Sequence, residues 1–491
     1  MIGWFQSIFG KRPLQVERAR WRNWAGNRRV RADVYFEPRT KGEIQDIVRR
    51  AKADGKRVRV VGNSYSWSPL IGDTDQEQSS AEVLICLKRM VDLVRITPHR
   101  ADPDFVPTVV AEAGMDLGTL TDVVEAAGLA LVSPTVIPFL SLGGLIGVGA
   151  HGSDTQAPPF PDHVVRFWFV DADGNERVVG EDEPRLMRAL RANLGCLGVI
   201  FQVEIRCVHD FTVRVINETQ PRLQAFDSLE QKGHDHPHMS VFWFPYTEKA
   251  LVRTYEYTPG RAPTRTLAQR FVKRAAKLVL QKWLGPPGLV IVTRLLPKMT
   301  PFFMEHFAFN LFKIQGGNRQ IERSAEAFHY VLNYPQLHDM SFAVDAHLAD
   351  DAWRYFVRKA NEYAARNQFP LSMLAHSRQV AASDSYLSPA VGRQTAYVEI
   401  LAYRGTPGWE AFFQDVEQGF YDAFPGARPH WGKHFWDVDR IRQTYDRPTQ
   451  AMVDGAEAPA NHMSTFLEVR QELDPEGRFL TPWLRRVFGI S

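Results

Sequence analysis

Ser141-Leu-Gly-Gly-Leu-Ile-Gly-Val-Gly-Ala-His-Gly152 is the stretch on which the fold turns. Its second half, Gly147 to Gly152, spells G-x-G-x-x-G, and Asp171 and Asp173 follow at the ~20-residue spacing of a dinucleotide fingerprint. A doubly wound nucleotide site needs that loop to open a helix whose N-terminus carries the pyrophosphate. Here the chain continues Ser-Asp-Thr-Gln-Ala-Pro-Pro-Phe-Pro161, and those prolines forbid a helix at the required place. The acidic pair lies in Asp171-Ala-Asp-Gly174, a turn between two strands rather than the end of a βαβ unit. The Rossmann reading is rejected. The glycines keep a use, since they let backbone N–H groups approach an anion closely.

Two more small-residue loops flank this one, Gly62-Asn-Ser-Tyr-Ser-Trp-Ser68 and Asn193-Leu-Gly-Cys-Leu-Gly-Val-Ile200. Any one of them reads equally well as a plain turn; three in about 210 residues do not. Between them, short strands alternate with helices. Ile44, Ile47, Val48 and Ala51 share one helical face, Gly55 ends that helix, and Arg57-Val-Arg-Val-Val-Gly62 reads as a strand leading into the first loop. Further strands are expected at Glu82–Leu87, Thr108–Glu112 and Val164–Asp171. Helices are expected from Asp116 to Ala127, behind an Asp cap, and from Pro184 to Leu194. The pattern is α+β.

After His209 the texture changes to aromatic-rich strands (Val241–Phe244, Ala250–Tyr257), then a basic amphipathic segment, then helices near Arg319–Leu332 and Asp351–Ala365. Strands return at Leu371–His376 and Thr395–Ala402. The expected organisation is residues 1–209 as one domain and 210–435 as a second, with a basic insertion near 258–340. Residues 436–491 return to the first domain.

Composition narrows the class. With 491 residues, 44% hydrophobic and 23% charged, the chain can bury a large core. Net charge is +3, too mild to call for nucleic acid. The three cysteines, Cys86, Cys196 and Cys207, lie in apolar stretches without Cys-x-x-Cys spacing, and read as reduced core thiols. Met1–Pro13 has no charged n-region ahead of a sustained apolar run, and apolar stretches such as Gly288–Val292 fall short of the ~20 residues that span a bilayer. A cytoplasmic location follows as the expectation.

The ordered series of motifs resembles the FAD-linked oxidases of the vanillyl-alcohol oxidase superfamily, closest to aldonolactone and alditol oxidases. Asn23-Trp-Ala-Gly-Asn27, Glu37-Pro-Arg-Thr40, the loops Gly62–Ser68 and Ser141–Ser153, Phe244-Pro-Tyr-Thr247, Tyr386-Leu-Ser-Pro-Ala390, Arg428-Pro-His-Trp-Gly-Lys433 and Leu473-Asp-Pro-Glu-Gly-Arg-Phe479 carry it. The resemblance implies a PCMH-type FAD-binding domain of two subdomains, with a substrate domain built on an antiparallel sheet. It implies FAD contacts at Gly62, Asn63, Ser64, Tyr65, Ser66, Ser141, Gly144, Gly147, His151, Gly198 and Ile200. Residues 258 to 340 have no clear counterpart.

Two departures from the family pattern matter. Where many members carry a histidine bonded to the flavin, this chain has Tyr65, so non-covalent FAD is expected; His151 belongs to a loop that contacts the cofactor without bonding to it. Where the substrate strand carries Glu-x-Arg, this chain reads His376-Ser-Arg378. Oxidation of an alcohol by flavin leaves negative charge on the reduced ring, which a fixed cation stabilises. Arg378 and Lys433 are the candidates, against the plainer reading that Arg378 pairs with Asp384. His376 is the candidate base, with His434 as the alternative and a purely structural role as the plain reading. His234-Asp-His-Pro-His238 is read as a solvated loop, and no metal is expected.

Arg261–Leu284 interleaves Arg265, Arg270, Lys273, Arg274, Lys277 and Lys282 with Leu267, Phe271, Leu278, Val279 and Trp283. It reads as a helical insertion packed on the substrate domain, or as a surface that rests on anionic lipid, with peripheral contact to the inner membrane through 261–312. Three functions stay open: oxidation of a hydroxyl on a sugar lactone, polyol or related small molecule, with oxygen or another electron acceptor; oxidation of a lipid-linked or sterol-like alcohol at a membrane surface; or a flavin-binding protein with a degraded site.

Overall fold

The computed structural model describes residues 14–72, 83–97, 106–260, 286–310, 319–329, 336–446 and 461–490. Its strands fall into three sheets, each built from a continuous run of the chain. The first holds β1 (Leu14–Arg22), β2 (Arg29–Glu37), β3 (Val58–Val61) and β4 (Val83–Cys86), in the order β1-β2-β4-β3. The second holds β5 (Leu93–Ile96), β6 (Thr108–Glu112), β7 (Leu129–Leu131), β8 (Val164–Val170), β9 (Glu176–Gly180) and β10 (Val199–His209), ordered β5-β6-β10-β8-β9 with β7 also on β10.

Helix Lys41–Ala53 buries Ile44, Ile47, Val48 and Ala51, the face its spacing predicts, and Thr40 caps it by accepting from the Glu43 amide at 3.2 Å. Helix Leu117–Ala126 starts behind Asp116, whose side chain accepts from the Thr119 amide at 2.9 Å. The helix expected over Pro184–Leu194 stops at Leu190. Asn193 turns the chain there: its side chain donates to Leu190 O at 2.7 Å and accepts from the Gly195 amide at 2.7 Å.

The third sheet holds β11 (Thr212–Pro221), β12 (Met239–Trp243), β13 (Lys249–Thr258), β14 (Arg319–Arg323), β15 (Leu337–Asp345), β16 (Ala375–Val380), β17 (Thr395–Tyr403) and β18 (Arg428–Pro429). It runs β14-β11-β13-β12-β16-β17-β15-β18, antiparallel throughout. Side chains alternate across it. Met340, Phe342, Val398 and Ile400 pack under helices Ala349–Ala365 and Trp409–Ala423, against Trp353, Phe356, Phe412 and Phe420. The opposite face carries Asp339, His376, Arg378, Glu399 and Leu401 toward the first two sheets.

Two expectations fail here. Arg319–Arg323 is a strand, followed by a helix only over Ser324–Phe328; the open edge of β11 recruits it by pairing Thr212–Ile216, and sheet pairing overrides its helical pattern. The strand expected at Leu371–His376 begins at Ala375, where partners on β12 and β17 become available. The basic segment Arg261–Leu284 lies outside the described residues. Cys86, Cys196 and Cys207 are all buried and unpaired. No described helix is long and apolar enough to cross a membrane.

After the third sheet the chain returns to its beginning. Ile441, Tyr445, Phe466, Val469, Phe479 and Leu484 share one core with Val58, Ile85, Phe167 and Val203. Arg59 on β3 fastens that return: fully buried, it donates to Leu194 O (2.8 Å), Gly195 O (2.7 Å) and Phe479 O (2.6 Å), so one guanidinium ties a strand, the third small-residue loop and the tail together.

Candidate active site

One cavity runs between the first two sheets and the third. All three small-residue stretches line it on one side, the second folded over Leu142–Gly147 as a short helix where a loop was expected, and β12, β15, β16, β17 and the turn after β18 line it on the other. Gly62, Asn63, Ser64, Tyr65, Ser66, Ser141, Gly144, Gly147, His151, Gly198 and Ile200, drawn together from sequence, all stand on its wall, as do His376, Arg378 and Lys433.

The loop geometry suits close approach of a ligand to backbone. Ser64 has φ 65°, a left-handed conformation rare for a residue with a Cβ, and the loop turns sharply there. Its hydroxyl accepts from Trp21 Nε1 at 3.1 Å. Among the described residues no acceptor meets the amides of Ser64, Tyr65 and Ser66, which leaves a run of N–H groups free beside the cavity. Gly62 packs so tightly on Ser141 that a Cβ would run into its Oγ, and Gly198, at φ 140°, would bring one to 2.6 Å from Val170 O. Only glycine fits at 198, where the clash is with backbone; at 62 a larger residue would have to displace the Ser141 hydroxyl. Tyr65 packs between Trp24 and Phe139, at ring separations of 5.1 and 4.7 Å.

The third sheet contributes charge. Lys433 Nζ binds Asp339 and lies 3.1 Å from Glu399 Oε1; Arg378 Nη2 is 3.3 Å from Glu399 Oε2, and His376 Nε2 is 3.4 Å from Glu399 Oε1. Each of these five side chains is buried or nearly so. Burial alone would raise the Glu399 carboxyl, but Lys433, His376 and Arg378 pull it well below the usual range. Asp339 goes the other way: burial first, then the charge of Glu399, hold it well above the carboxylate range. Burial would lower Lys433, yet Asp339 and Glu399 outweigh that and raise it. Burial also keeps His376 below its ordinary value despite Glu399. Two cations, Lys433 and Arg378, thus face two carboxyl groups at this end of the cavity, and the opposite shifts of those groups favour negative charge on Glu399 over Asp339.

Arg378 therefore pairs with Glu399 and not with Asp384, which is held by Arg188 (3.4 Å) and Arg191 (3.2 Å). His434 does not line the cavity; it is buried with Nε2 3.2 Å from His338 Nδ1 and its ring stacked on Trp436. Of the two histidines weighed as a base, only His376 reaches the site. His151 stacks on Tyr397 at 3.5 Å, and burial, then the nearby Arg378 charge, holds it well below its ordinary value. In His234–His238, only His238 turns inward, with Nδ1 3.0 Å from Ser153 O and Nε2 2.8 Å from Tyr257 Oη.

Sequence reasoning passed over Asp339, Glu399, Arg59 and Trp67, whose ring lies under Lys433 Nζ at 4.8 Å. A signal was present for the acids: Asp339-Met-Ser-Phe-Ala-Val and Tyr397-Val-Glu-Ile-Leu-Ala each hold one carboxylate inside an otherwise apolar strand. A strand buried on both faces admits a charge only if partners await it.

Comparison with known proteins agrees with this geometry. Residues 32–180 match an FAD binding domain, and residues 203–487 match the family described as D-arabinono-1,4-lactone oxidase. The chain is 27% identical to an L-gulonolactone oxidase of Scyliorhinus torazame, over 95% of this chain and 97% of that protein. It is 26% identical to an L-gulono-1,4-lactone dehydrogenase of Mycobacterium tuberculosis, over 96% and 99%. In fold it superposes on cholesterol oxidase from B. sterolicum with a TM-score of 0.80 at 18% identity, covering 98% of each chain. The family match spans more than half of the sequence and takes in the whole charged wall of the cavity: this chain belongs to the D-arabinono-1,4-lactone oxidase family, with an N-terminal FAD-binding domain of the PCMH type and the FAD-dependent oxidoreductase activity that joins them.

Proposed function

We propose that this enzyme oxidises a CH–OH group of a sugar lactone, with FAD held non-covalently between the three small-residue loops and the third sheet. The observation that carries the reading is the buried pair Arg378 and Lys433, held by Glu399 and Asp339 at the end of a cavity whose other wall presents the free amides of Ser64, Tyr65 and Ser66. The parts suit the cofactor: unpaired amides of Ser64, Tyr65 and Ser66 for a diphosphate, apolar walls from Leu140, Val148 and Ile200 for a ring system, and two cations where that ring gains electrons. When bound, FAD supplies the acceptor for the hydride.

The residues of the chain do the rest. Arg378 and Lys433 offer permanent or nearly permanent positive charge to whatever oxygen or ring atom becomes negative. His376, kept neutral by burial, takes the hydroxyl proton. The lid of aromatic and aliphatic side chains around Trp67, Phe242, Leu337 and Leu401 excludes water from that transfer. Tyr65, on the cavity wall in the first small-residue loop, has no ring nitrogen through which a flavin could be attached, which supports the non-covalent reading.

The test is direct. Purified protein is expected to be yellow and to bleach anaerobically with D-arabinono-1,4-lactone or L-gulono-1,4-lactone. Turnover with oxygen and with an artificial dye then identifies the electron acceptor. Bleaching by a sterol or a lipid-linked alcohol, and by no lactone, would overturn the reading.

Peripheral contact with an anionic lipid surface is a second reading, and one observation favours it. Along 290–309, Ile291, Leu295, Leu296, Met299, Phe302 and Phe307 are exposed while Met304 and Phe309 anchor the segment on the cavity lid, and Arg294 and Lys298 are exposed beside them. Co-sedimentation with phosphatidylserine vesicles, weakened by salt and absent with phosphatidylcholine alone, is the expected result.

A further inference from the structure

A sugar lactone presents several hydroxyl groups, and each proton needs an acceptor once water has left. Arg378 and Lys433 donate only. Among the described residues that line the cavity, the carboxylates are Asp339 and Glu399. Asp339 is turned onto Lys433, and its surroundings favour the protonated form. Glu399 is the charged one, and it lies at the centre of the cluster, within 3.4 Å of Lys433, Arg378 and His376 alike.

Register explains how it got there. Glu399 on β17 is the direct partner of His376 on β16, so the two side chains leave the sheet side by side on the face that lines the cavity. A carboxylate at either position reaches the same two cations. Charge allows it at one of them: a carboxylate at 376 directly opposite Glu399 would set two like charges side by side in a buried space, which is costly. The neutral imidazole at 376 and the carboxylate at 399 therefore belong together.

We infer that Glu399 is the substrate-binding carboxylate of this enzyme, accepting hydrogen bonds from the lactone hydroxyls beside the reacting carbon, and that it and His376 form one exchangeable cross-strand unit. This rests on the lactone reading above.

The experiment compares wild type, Glu399→Gln and the exchange His376→Glu with Glu399→His in the full-length, FAD-loaded protein. It reads flavin bleaching by the lactone that reduces the wild type best, and the rise in melting temperature that this lactone gives. The Gln variant is expected to stay yellow, lose its lactone-dependent melting shift and bleach on the order of 100-fold more slowly. The exchange is expected to recover at least tenfold of that loss, on the order of 1.4 kcal/mol, because it returns a carboxylate to the same cations. A Gln variant that bleaches within about twofold of wild type overturns the inference, since a lost hydrogen bond to a charged group is worth more than that. If the Gln variant is colourless, the exchange decides: yellow and active supports the inference, and colourless again means that Glu399 serves the fold. A wild-type enzyme that no lactone bleaches overturns the lactone reading instead, and this inference with it.

Discussion

Lys433 Nζ stands 4.8 Å over the indole ring of Trp67, so a cation from the turn after β18 rests on a residue of the first small-residue loop. The contact is reinforced by main chain, since the Trp67 amide donates to Gly432 O at 2.8 Å. The two walls of the cavity are thus fixed to each other at the point where its charge is concentrated. Replacing Lys433 with Ala is expected to lower lactone-dependent bleaching by about 100- to 1000-fold while the protein stays yellow. Stopped-flow absorbance of the reductive step reads this; unchanged bleaching would remove Lys433 from the chemistry.

Burial lowers the proton affinity of His376 from its ordinary 6.5, so its neutral form persists in more acid solution. A base must be neutral to accept a proton, and the bleaching rate is therefore expected to stay level as pH falls through 6.5 and to decline only below it. His376→Asn should slow the reaction and abolish that decline. A wild-type inflection above 6.5 would mean that another group accepts the proton.

Arg59 is buried, with its pKa pulled down to about 10 by desolvation, and three carbonyl oxygens hold it. Arg59→Met fills much of the volume but strands those carbonyls. A loss of about 3 kcal/mol in stability is expected, together with faster release of FAD. Denaturant titration and flavin fluorescence measure the two effects; a variant as stable as wild type would show that water satisfies the carbonyls.

With Tyr65 at the flavin loop, acid precipitation is expected to leave a colourless pellet and yellow supernatant. Colour that stays with the denatured polypeptide would show a covalent bond and overturn this expectation.

Much of this was legible in the sequence because it is local. The helical face of Ile44, Ile47, Val48 and Ala51, the Asp116 cap and the prolines after His151 each act within a few residues, and each appears as read. The α+β class and the grouping of three glycine-bearing loops followed from the same kind of signal. What escaped depends on neighbours distant in sequence. Arg319–Arg323 is a strand only because β11 offers it an edge. Glu399 matters because register sets it against His376 and the chain returns with Lys433, neither of which its own strand announces. Tyr65 and His376 were visible as departures from a pattern, but the carboxylate that answers the second was not.

The return of the chain to its first core has a consequence for biogenesis. Arg59 cannot complete its bonds until Phe479 has been synthesised, and Ile441 through Leu484 supply apolar surface to a nucleus begun hundreds of residues earlier. Nascent chains stalled before that point already hold both walls of the cavity, which end at Lys433, but lack the segment that completes the core beneath the first two sheets. A truncation close to the C-terminus is thus expected to loosen the core under the cavity although it removes no residue from the cavity wall.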